Sequence, residues 1–194
     1  GQEATARYTW LVDPLDGTTN YAHGYPVFSV TLALLDEGEV ELGIVYDPLR
    51  DECFTAQRGG GAWLNGRQLH VSSTIDLQAA LISTGFPYNR WRSAATNIPE
   101  FSAMIMHCQG IVRSGSAAID LAYVAAGRSD GHWELGLKPW DSAAGALLVR
   151  EAGGQVTDWI GQAYDPWNGR VVATNGTIHD QVLSVLAAEP PAEG

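Results

Sequence analysis

The sequence is poor in lysine and cysteine, and each shortage excludes a class of function. Lys138 is the only lysine among eleven basic residues, so neither a Walker A loop nor a polybasic membrane patch can be built. Cys53 and Cys108 lack metal-ligand spacing and the five histidines form no HExxH pattern, which argues against zinc. No run of 18 or more apolar residues occurs, so we expect no membrane partner.

The charge balance is strongly acidic, with 22 acidic residues against 11 basic ones and a net charge of -11. Because nonspecific nucleic-acid binding depends on Lys and Arg meeting phosphates, we expect no nucleic-acid partner. Two lone cysteines in 194 residues agree with a reducing compartment, and we therefore expect a cytoplasmic location.

The run from Asp13 to Asn20 reads Asp-Pro-Leu-Asp-Gly-Thr-Thr-Asn and follows an apolar stretch. Pro14 pushes the preceding residue toward extended geometry, so Asp13 should end a strand and point into the loop. Carboxylates such as those of Asp13 and Asp16 suit Mg²⁺, which is usually shared with a substrate phosphate. The Gly-Thr-Thr at 17–19 can open a short helix whose free amides receive that phosphate. One loop could hold metal and anion together.

An ordinary turn is the alternative, because Asp, Pro and Gly each also serve turn geometry. The chain contains a second copy of the first three letters, Asp47-Pro48-Leu49, which continues as Arg50-Asp51-Glu52 without the Gly-Thr-Thr. It lies between two strand-like runs, and we interpret it as a hairpin turn.

The second informative stretch runs from Pro139 to Gly154 and contains Trp-Asp-Ser-Ala-Ala-Gly at 140–145. It predicts a helix that begins at Asp141 as its N-cap and stops at Gly153-Gly154. Taken alone, Asp141 could serve as a cap and nothing more.

Together the two stretches resemble the signature pair of the inositol monophosphatase family of metal-dependent phosphomonoesterases. The segments 115–121 (Gly-Ser-Ala-Ala-Ile-Asp-Leu) and 134–141 (Glu-Leu-Gly-Leu-Lys-Pro-Trp-Asp) are similar to bacterial members. The resemblance extends from about Tyr8 to about Leu186, and a paired signature is far more specific than either motif alone.

The resemblance implies two or three Mg²⁺ ions per site, replaceable by Mn²⁺, together with inhibition by lithium. The metal ligands it implies are Asp13, the backbone carbonyl of Leu15, Asp16 and Asp141. The catalytic residues it implies are Asp13, Asp16, Thr18 and Asp141, with Thr18 orienting the attacking water. The substrate-binding residues it implies are Leu15, Asp16, Gly17, Thr18, Gly115, Ser116, Ala117, Glu134 and Asp141. In this set the amides of residues 17 and 18 hold the phosphate and Glu134 accepts hydrogen bonds from ring hydroxyls, with Lys138 nearby.

The implied reaction is in-line attack by a metal-activated water without a covalent intermediate. The implied partner is a small-molecule phosphate monoester, namely inositol monophosphate or a similar polyol or sugar phosphate, hydrolysed by a homodimer. Fructose bisphosphate, histidinol phosphate and adenosine bisphosphate stay open as substrates of such relatives.

The fold implied is α/β, a layered αβαβα sandwich of the sugar-phosphatase type. We predict a mostly antiparallel sheet region at 1–79, which carries the Asp13 loop, and an α/β region at 80–188, which carries Asp141 and the pocket. Helices are predicted at 98–109 and 116–126, and a disordered tail at 189–194.

The start of the chain departs from the family pattern, which places a metal-binding Glu-Glu pair upstream of the first aspartate. Glu3 is the only upstream acid and lies too close to Asp13 to be its counterpart. We therefore expect a fragment that lacks this pair and the opening helices. The alternative is a noncatalytic remnant that acts as a structural or regulatory partner.

Overall fold

A computed structural model describes residues 7–92 and 95–188. These residues form two β-sheets and two layers of helices, stacked in the order sheet, helices, sheet, helices. Both Glu3 and the tail predicted at 189–194 lie outside the described residues.

The first sheet contains six antiparallel strands in sequence order. They are β1 (Tyr8–Asp16), β2 (Ser29–Asp36), β3 (Glu39–Asp47), β4 (Glu52–Gln57), β5 (Gly61–Leu64) and β6 (Arg67–Gln68). Buried and partly buried residues alternate along β2 and β3, as expected of a sheet with one face on the core. β3 and β4 form a hairpin in which Asp47 pairs with Glu52, so the interpretation of the second Asp-Pro-Leu as a hairpin turn is confirmed.

The first strand is longer than the sequence predicts. Asp13 was expected to end β1, but the strand continues to Asp16, with a register shift between these two residues. Asp13 pairs with Thr31 and Asp16 pairs with Ser29, so the proline is accommodated at an irregularity of an edge strand. The short helix α1 (Thr18–Ala22) then begins directly after Gly17, as predicted.

The second sheet contains five strands in the order β10-β11-β9-β7-β8. They are β7 (Leu81–Thr84), β8 (Gly110–Val112), β9 (Gly131–Leu135), β10 (Gln155–Thr157) and β11 (Arg170–Thr174). β7 runs parallel to both β8 and β9, whereas β11 runs antiparallel to its neighbours β9 and β10. The remaining helices are α2 (Ile98–Met104), α3 (Ala117–Ala125), α4 (Pro139–Glu151) and α5 (His179–Ala188).

Two apolar clusters bind the layers together. Helices α3 and α4 lie between the sheets, and their buried residues form one cluster with Phe54 of the first sheet and Val171 of the second. The other cluster joins Trp133 of the second sheet to Met104 of α2 and Leu186 of α5. The predicted layered α/β sandwich is therefore confirmed. The boundary predicted at position 80 stays a prediction, and one core includes residues on both sides of it.

Two helix bounds differ from the predictions. The helix predicted at 98–109 ends at Met104, because the chain turns through residues 105–109 before it enters β8. The helix predicted at 116–126 spans 117–125, and Ser116 is its N-cap, with its side chain accepting from the amide of Ile119.

The outer face of the first sheet carries exposed aromatic and aliphatic side chains, including Trp10 and Val12. In the part of the chain that the structure describes, these two side chains are 56% and 49% exposed. In the same part, no helix is long and apolar enough to cross a membrane. Cys53 and Cys108 are free thiols.

Candidate active site

One cavity of about 270 Å³ opens where the first sheet meets α3 and α4. All the residues that the sequence analysis singled out as site residues line it, although they come from four separate segments of the chain. They are Asp13, Leu15, Asp16, Gly17, Thr18, Gly115, Ser116, Ala117, Glu134, Lys138 and Asp141. The fold brings the whole predicted set together, while the role of each residue stays a prediction.

The loop from Asp13 to Thr18 is held by its own hydrogen bonds. The Leu15 amide donates to Asp13 Oδ1 at 2.9 Å, and the Thr18 hydroxyl donates to the Leu15 carbonyl at 3.0 Å. Gly17 has φ 86°, and a Cβ there would lie 2.9 Å from the Val27 carbonyl oxygen. Glycine is required at this position for both reasons, and it turns the chain sharply enough to start α1 at the cavity.

Asp16 joins this loop to the N-terminus of α3, about a hundred residues further along the chain. Its Oδ2 accepts from the Ser116 hydroxyl at 2.5 Å and from the Ala118 amide at 3.0 Å. The Ser29 hydroxyl lies 3.5 Å from the same oxygen. An anionic side chain at a helix N-terminus is favourable, so these bonds hold the carboxylate in a fixed orientation.

Asp141 lies in the first turn of α4 but is not the N-cap that the sequence predicts. The helix begins at Pro139 after Lys138, and Asp141 Oδ2 accepts from the Lys138 amide at 2.8 Å. The prediction was wrong by three positions because proline is favoured in the first helical turn and moves the start upstream. The Thr31 hydroxyl of β2 donates to the Trp140 carbonyl at 2.7 Å and fixes this turn against the first sheet.

Three helix N-termini meet at the cavity. Gly17 and Thr18 open α1, Ser116 and Ala117 open α3, and Asp141 lies in the first turn of α4. The first amides of a helix have no acceptor within it and carry a partial positive charge. Together with the carboxylates, they provide places for both an anion and a cation in one small volume.

Burial and mutual repulsion raise the pKa values of the acids. Burial, followed by the charges of Asp141 and Asp13, raises the pKa of Asp16 to about 6 against the hydrogen bonds from Ser116 and Ala118. Burial also raises the pKa of Asp141 to about 6, and the nearby carboxylates of Asp13 and Glu134 contribute. Behind them, the pKa of the buried Asp120 rises to about 7, mainly because of burial. The site concentrates negative charge that lacks an equal number of cations.

The donor set fits a hard cation held jointly with a phosphate. Among the hydrogen bonds of the described residues, Asp13, Asp16 and Asp141 each engage one carboxylate oxygen and leave the other without a donor. Within residues 7–92 and 95–188, no three His, Cys, Asp or Glu side chains converge closely enough to enclose an ion unaided. A Mg²⁺ ion usually takes one or two carboxylates and completes its shell with water and substrate phosphate.

Glu134 forms the opposite wall of the cavity and lies directly against the backbone of Gly85. A Cβ on Gly85 would fall 2.0 Å from Glu134 Oε1, so a larger residue there would displace the carboxylate. Sequence reasoning missed Gly85, and no periodic signal could have found it, because the contact joins positions 49 residues apart. The other lining residues it did not assign to the site are Thr84, Phe86, Tyr88, Arg113, Asp120, Leu137 and Trp140.

Comparison with protein families gives a match over almost the whole chain. Residues 1–190 match the model of the family described as "Inositol monophosphatase family". A protein of Synechocystis sp. named "Inositol-1-monophosphatase" is 49% identical over 183 residues, which are 94% of this chain and 64% of that protein. This chain therefore spans less than two thirds of that relative's length.

Two further relatives extend the comparison. A Pseudomonas aeruginosa protein named "Nus factor SuhB" is 46% identical over 98% of this chain and 71% of its own length. The solved structure of an inositol monophosphatase from Anabaena (Nostoc) sp. PCC 7120 superposes with a TM-score of 0.95 at 47% identity. That match covers 98% of this chain and 75% of the Anabaena chain.

Proposed function

The chain belongs to the inositol monophosphatase family, and on that premise we propose that it is a Mg²⁺-dependent phosphomonoesterase. Its substrate would be inositol monophosphate or a similar polyol or sugar phosphate. The observation that carries the proposal is the single cavity that gathers the three aspartates, three helix N-termini and Glu134. This cavity is therefore lined by the two kinds of group that bind a phosphate ester together with its metal, namely cation ligands and anion-binding amides.

Mg²⁺, as two or three ions, would be held by Asp13, Asp16, Asp141 and the Leu15 carbonyl, with each ion bound by only part of this set. When bound, it would supply the positive charge that lowers the pKa of a coordinated water and offsets the charge of the phosphate. The bonds from Ser116 and Ala118 go to Asp16 Oδ2, and among the described residues no donor reaches that residue's other oxygen. Such fixed orientation matters because phosphoryl transfer relies on positioning and electrostatics more than on covalent chemistry.

The substrate would be oriented by backbone amides at one end and by Glu134 at the other. The amides of Gly17 and Thr18 would bind phosphate oxygens, and the Thr18 hydroxyl would orient the attacking water. Glu134 would accept hydrogen bonds from polyol hydroxyls, for which an anionic acceptor inside a small cavity is well suited. Gly115, Ser116 and Ala117 would border the same space.

We further propose that the protein works in the cytoplasm as a homodimer and acts on small molecules rather than on nucleic acid. The net charge of -11 supports the last point, since it repels a phosphate backbone. The name of the Pseudomonas relative concerns that protein and lends no residue-level support to a second function here.

Phosphate release from inositol 1-phosphate, with Mg²⁺ and with a chelator, tests the proposal. It should be measured on this chain and on the product of its complete natural reading frame, with fructose bisphosphate and adenosine bisphosphate as competing substrates. We expect Mg²⁺-dependent release that Asp141→Asn reduces by at least about a hundredfold. Turnover at the wild-type rate in a folded Asp141→Asn protein would contradict the assigned metal ligand, and inactivity towards every phosphate would favour the noncatalytic alternative.

A further inference from the structure

Behind the cavity lies His132, a buried histidine that none of the predicted roles uses. It stands in β9 two residues before Glu134, so the two side chains share one face of the strand. Its Nδ1 lies 3.0 Å from Ser83 Oγ, and its Nε2 lies 3.5 Å from Glu134 Oε2. Within the described residues Nε2 is buried and has no hydrogen-bond partner. A buried ring nitrogen therefore faces a cavity carboxylate across a gap slightly longer than a hydrogen bond.

The surroundings of the ring decide where its proton lies. A lone pair on Nε2 would face the anionic Glu134, which is repulsive, whereas a proton on Nε2 would be attracted to it. On the other side, the Ser83 hydroxyl can donate to Nδ1 at 3.0 Å or to the Gly131 carbonyl at 3.4 Å, and the Asp120 carboxylate lies 4.0 Å from Nδ1. Both the neutral Nε2–H tautomer and the imidazolium place a hydrogen between the ring and Glu134.

The Glu134 carboxylate is confined on two sides. Oε2 lies 3.5 Å from His132 Nε2, and both carboxylate oxygens lie against Gly85, where a Cβ would fall 2.0 Å from Oε1 and 2.5 Å from Oε2. The His132 side chain is fully buried, and that of Glu134, which lines the cavity, is 13% exposed. Among the described residues, His132 thus offers the Glu134 carboxylate a contact with a defined direction, and Gly85 leaves room for that carboxylate.

We infer that His132 is a positioning residue that donates from Nε2 to Glu134 and thereby aims this carboxylate at the hydroxyl groups of a polyol phosphate. The inference rests on the proposed function for its substrate, but the proposed pairing of Nε2 with Glu134 does not. Ser83 in turn orients the imidazole, so the line Ser83, His132, Glu134 runs from β7 through β9 to the cavity.

Three substitutions separate the hydrogen bond from the packing. His132→Gln places an amide donor close to the position of Nε2, His132→Asn keeps a group only near Nδ1, and His132→Phe keeps the ring shape without polarity. We expect Asn and Phe to raise KM for inositol 1-phosphate about tenfold with little change in kcat, and Gln to restore most of the loss. Equal effects of all three substitutions would contradict the inference.

A second substrate distinguishes positioning from general damage. 4-Nitrophenyl phosphate has no polyol hydroxyls, so its KM should be the same in wild type, His132→Asn and His132→Phe. A parallel rise of KM for both substrates would show that His132 matters only for packing, and the inference would fail.

The ¹⁵N and ¹H resonances of the imidazole test the hydrogen bond without turnover. In the full chain labelled at histidine, His132→Gln identifies the signal, and we expect the proton on Nε2 at neutral pH. Glu134→Gln should shift that Nε2 resonance while leaving the other histidines unchanged. A proton on Nδ1 alone, with Nε2 bare, would overturn the inference. If the wild-type protein hydrolyses no phosphate, the proposed function fails, and this measurement still decides the pairing.

Discussion

The two Asp-Pro-Leu segments of the first sheet each form an Asx turn, one in the irregular end of β1 and one between β3 and β4, and they end in opposite electrostatic states. In both, the aspartate Oδ1 accepts from the amide two residues on, Leu15 at 2.9 Å and Leu49 at 3.0 Å. In the second turn, the Arg50 guanidinium donates to Asp47 Oδ2 at 2.7 Å, and the carboxylate is fully buried. In the first turn, the fourth letter is Asp16, a second acid, in place of arginine.

The fourth residue therefore decides what the same local geometry can do. Arg50 neutralises its turn from within, so that turn contributes to folding and needs nothing from solution. Asp16 adds a like charge beside Asp13. Together with Asp141, it forms a negatively charged site that would be neutralised by a cation from solution. Three predictions test this division between a structural turn and a binding turn.

The largest difference should appear in activity. We expect Asp13→Asn to lower kcat/KM for inositol 1-phosphate by about a thousandfold, because it removes a metal ligand while keeping the side-chain shape. Asp47→Asn is the matched control, since it makes the same chemical change in the other turn. Its kcat/KM per folded molecule should stay within about twofold of wild type. Equal losses in the two variants would contradict the division of roles.

For stability we expect the opposite order, with the larger loss on mutation of the Asp47 turn. Arg50→Met leaves the buried Asp47 carboxylate without its cation, and we expect the free energy of unfolding to fall by about 2 to 3 kcal/mol. This is less than the loss of about 3 to 5 kcal/mol typical of a broken buried pair, because the Arg50 side chain is 43% exposed. Asp13→Asn should change stability by less than about 1 kcal/mol in the absence of divalent ions, since it also relieves repulsion. Urea unfolding of both variants with a chelator present checks this, and a larger loss in Asp13→Asn would break the comparison.

Sequence reasoning predicted local structure at these turns because that structure depends on neighbouring residues. The helix after Gly17 and the Asp47 hairpin turn both follow from short-range patterns. Assembling the cavity residues depended on the family resemblance, since no periodicity relates Asp16 to Ser116.

Sequence reasoning could not predict contacts between positions that are distant in the chain. The start of α4 upstream of Asp141, the extension of β1 to Asp16 and the early end of α2 depend on what each segment packs against. The fit of Gly85 against Glu134 and the burial of His132 beside Glu134 arise from the pairing of β7 with β9. The sequence shows Gly85 and His132 but does not show that both of them contact Glu134.

The smallest effect expected is the pH dependence of the binding turn's stability. The pKa values of Asp16 and Asp141 are raised from 3.8 to about 6 in the folded protein, so the folded state binds more protons than the unfolded chain between these values. The free energy of unfolding contributed by these groups must therefore fall as pH rises through that window. Because both side chains are only partly buried, we expect a loss of about 1 kcal/mol between about pH 4 and pH 7 without divalent ions.

Thermal unfolding with a chelator, compared between wild type and Asp141→Asn, isolates this contribution. The fall should be smaller in the variant, and Mg²⁺ should restore stability to the wild type at about pH 7 but much less at about pH 5, where protons compete for the same oxygens. Asp36 is the control, because hydrogen bonds from Arg7 lower its pKa and its proton exchange therefore lies below this pH window. Asp36→Asn should leave the fall and its Mg²⁺ rescue unchanged. If Asp141→Asn shows the full wild-type fall, the repulsion is not what distinguishes the binding turn from the Asp47 turn, and the distinction would rest on geometry alone.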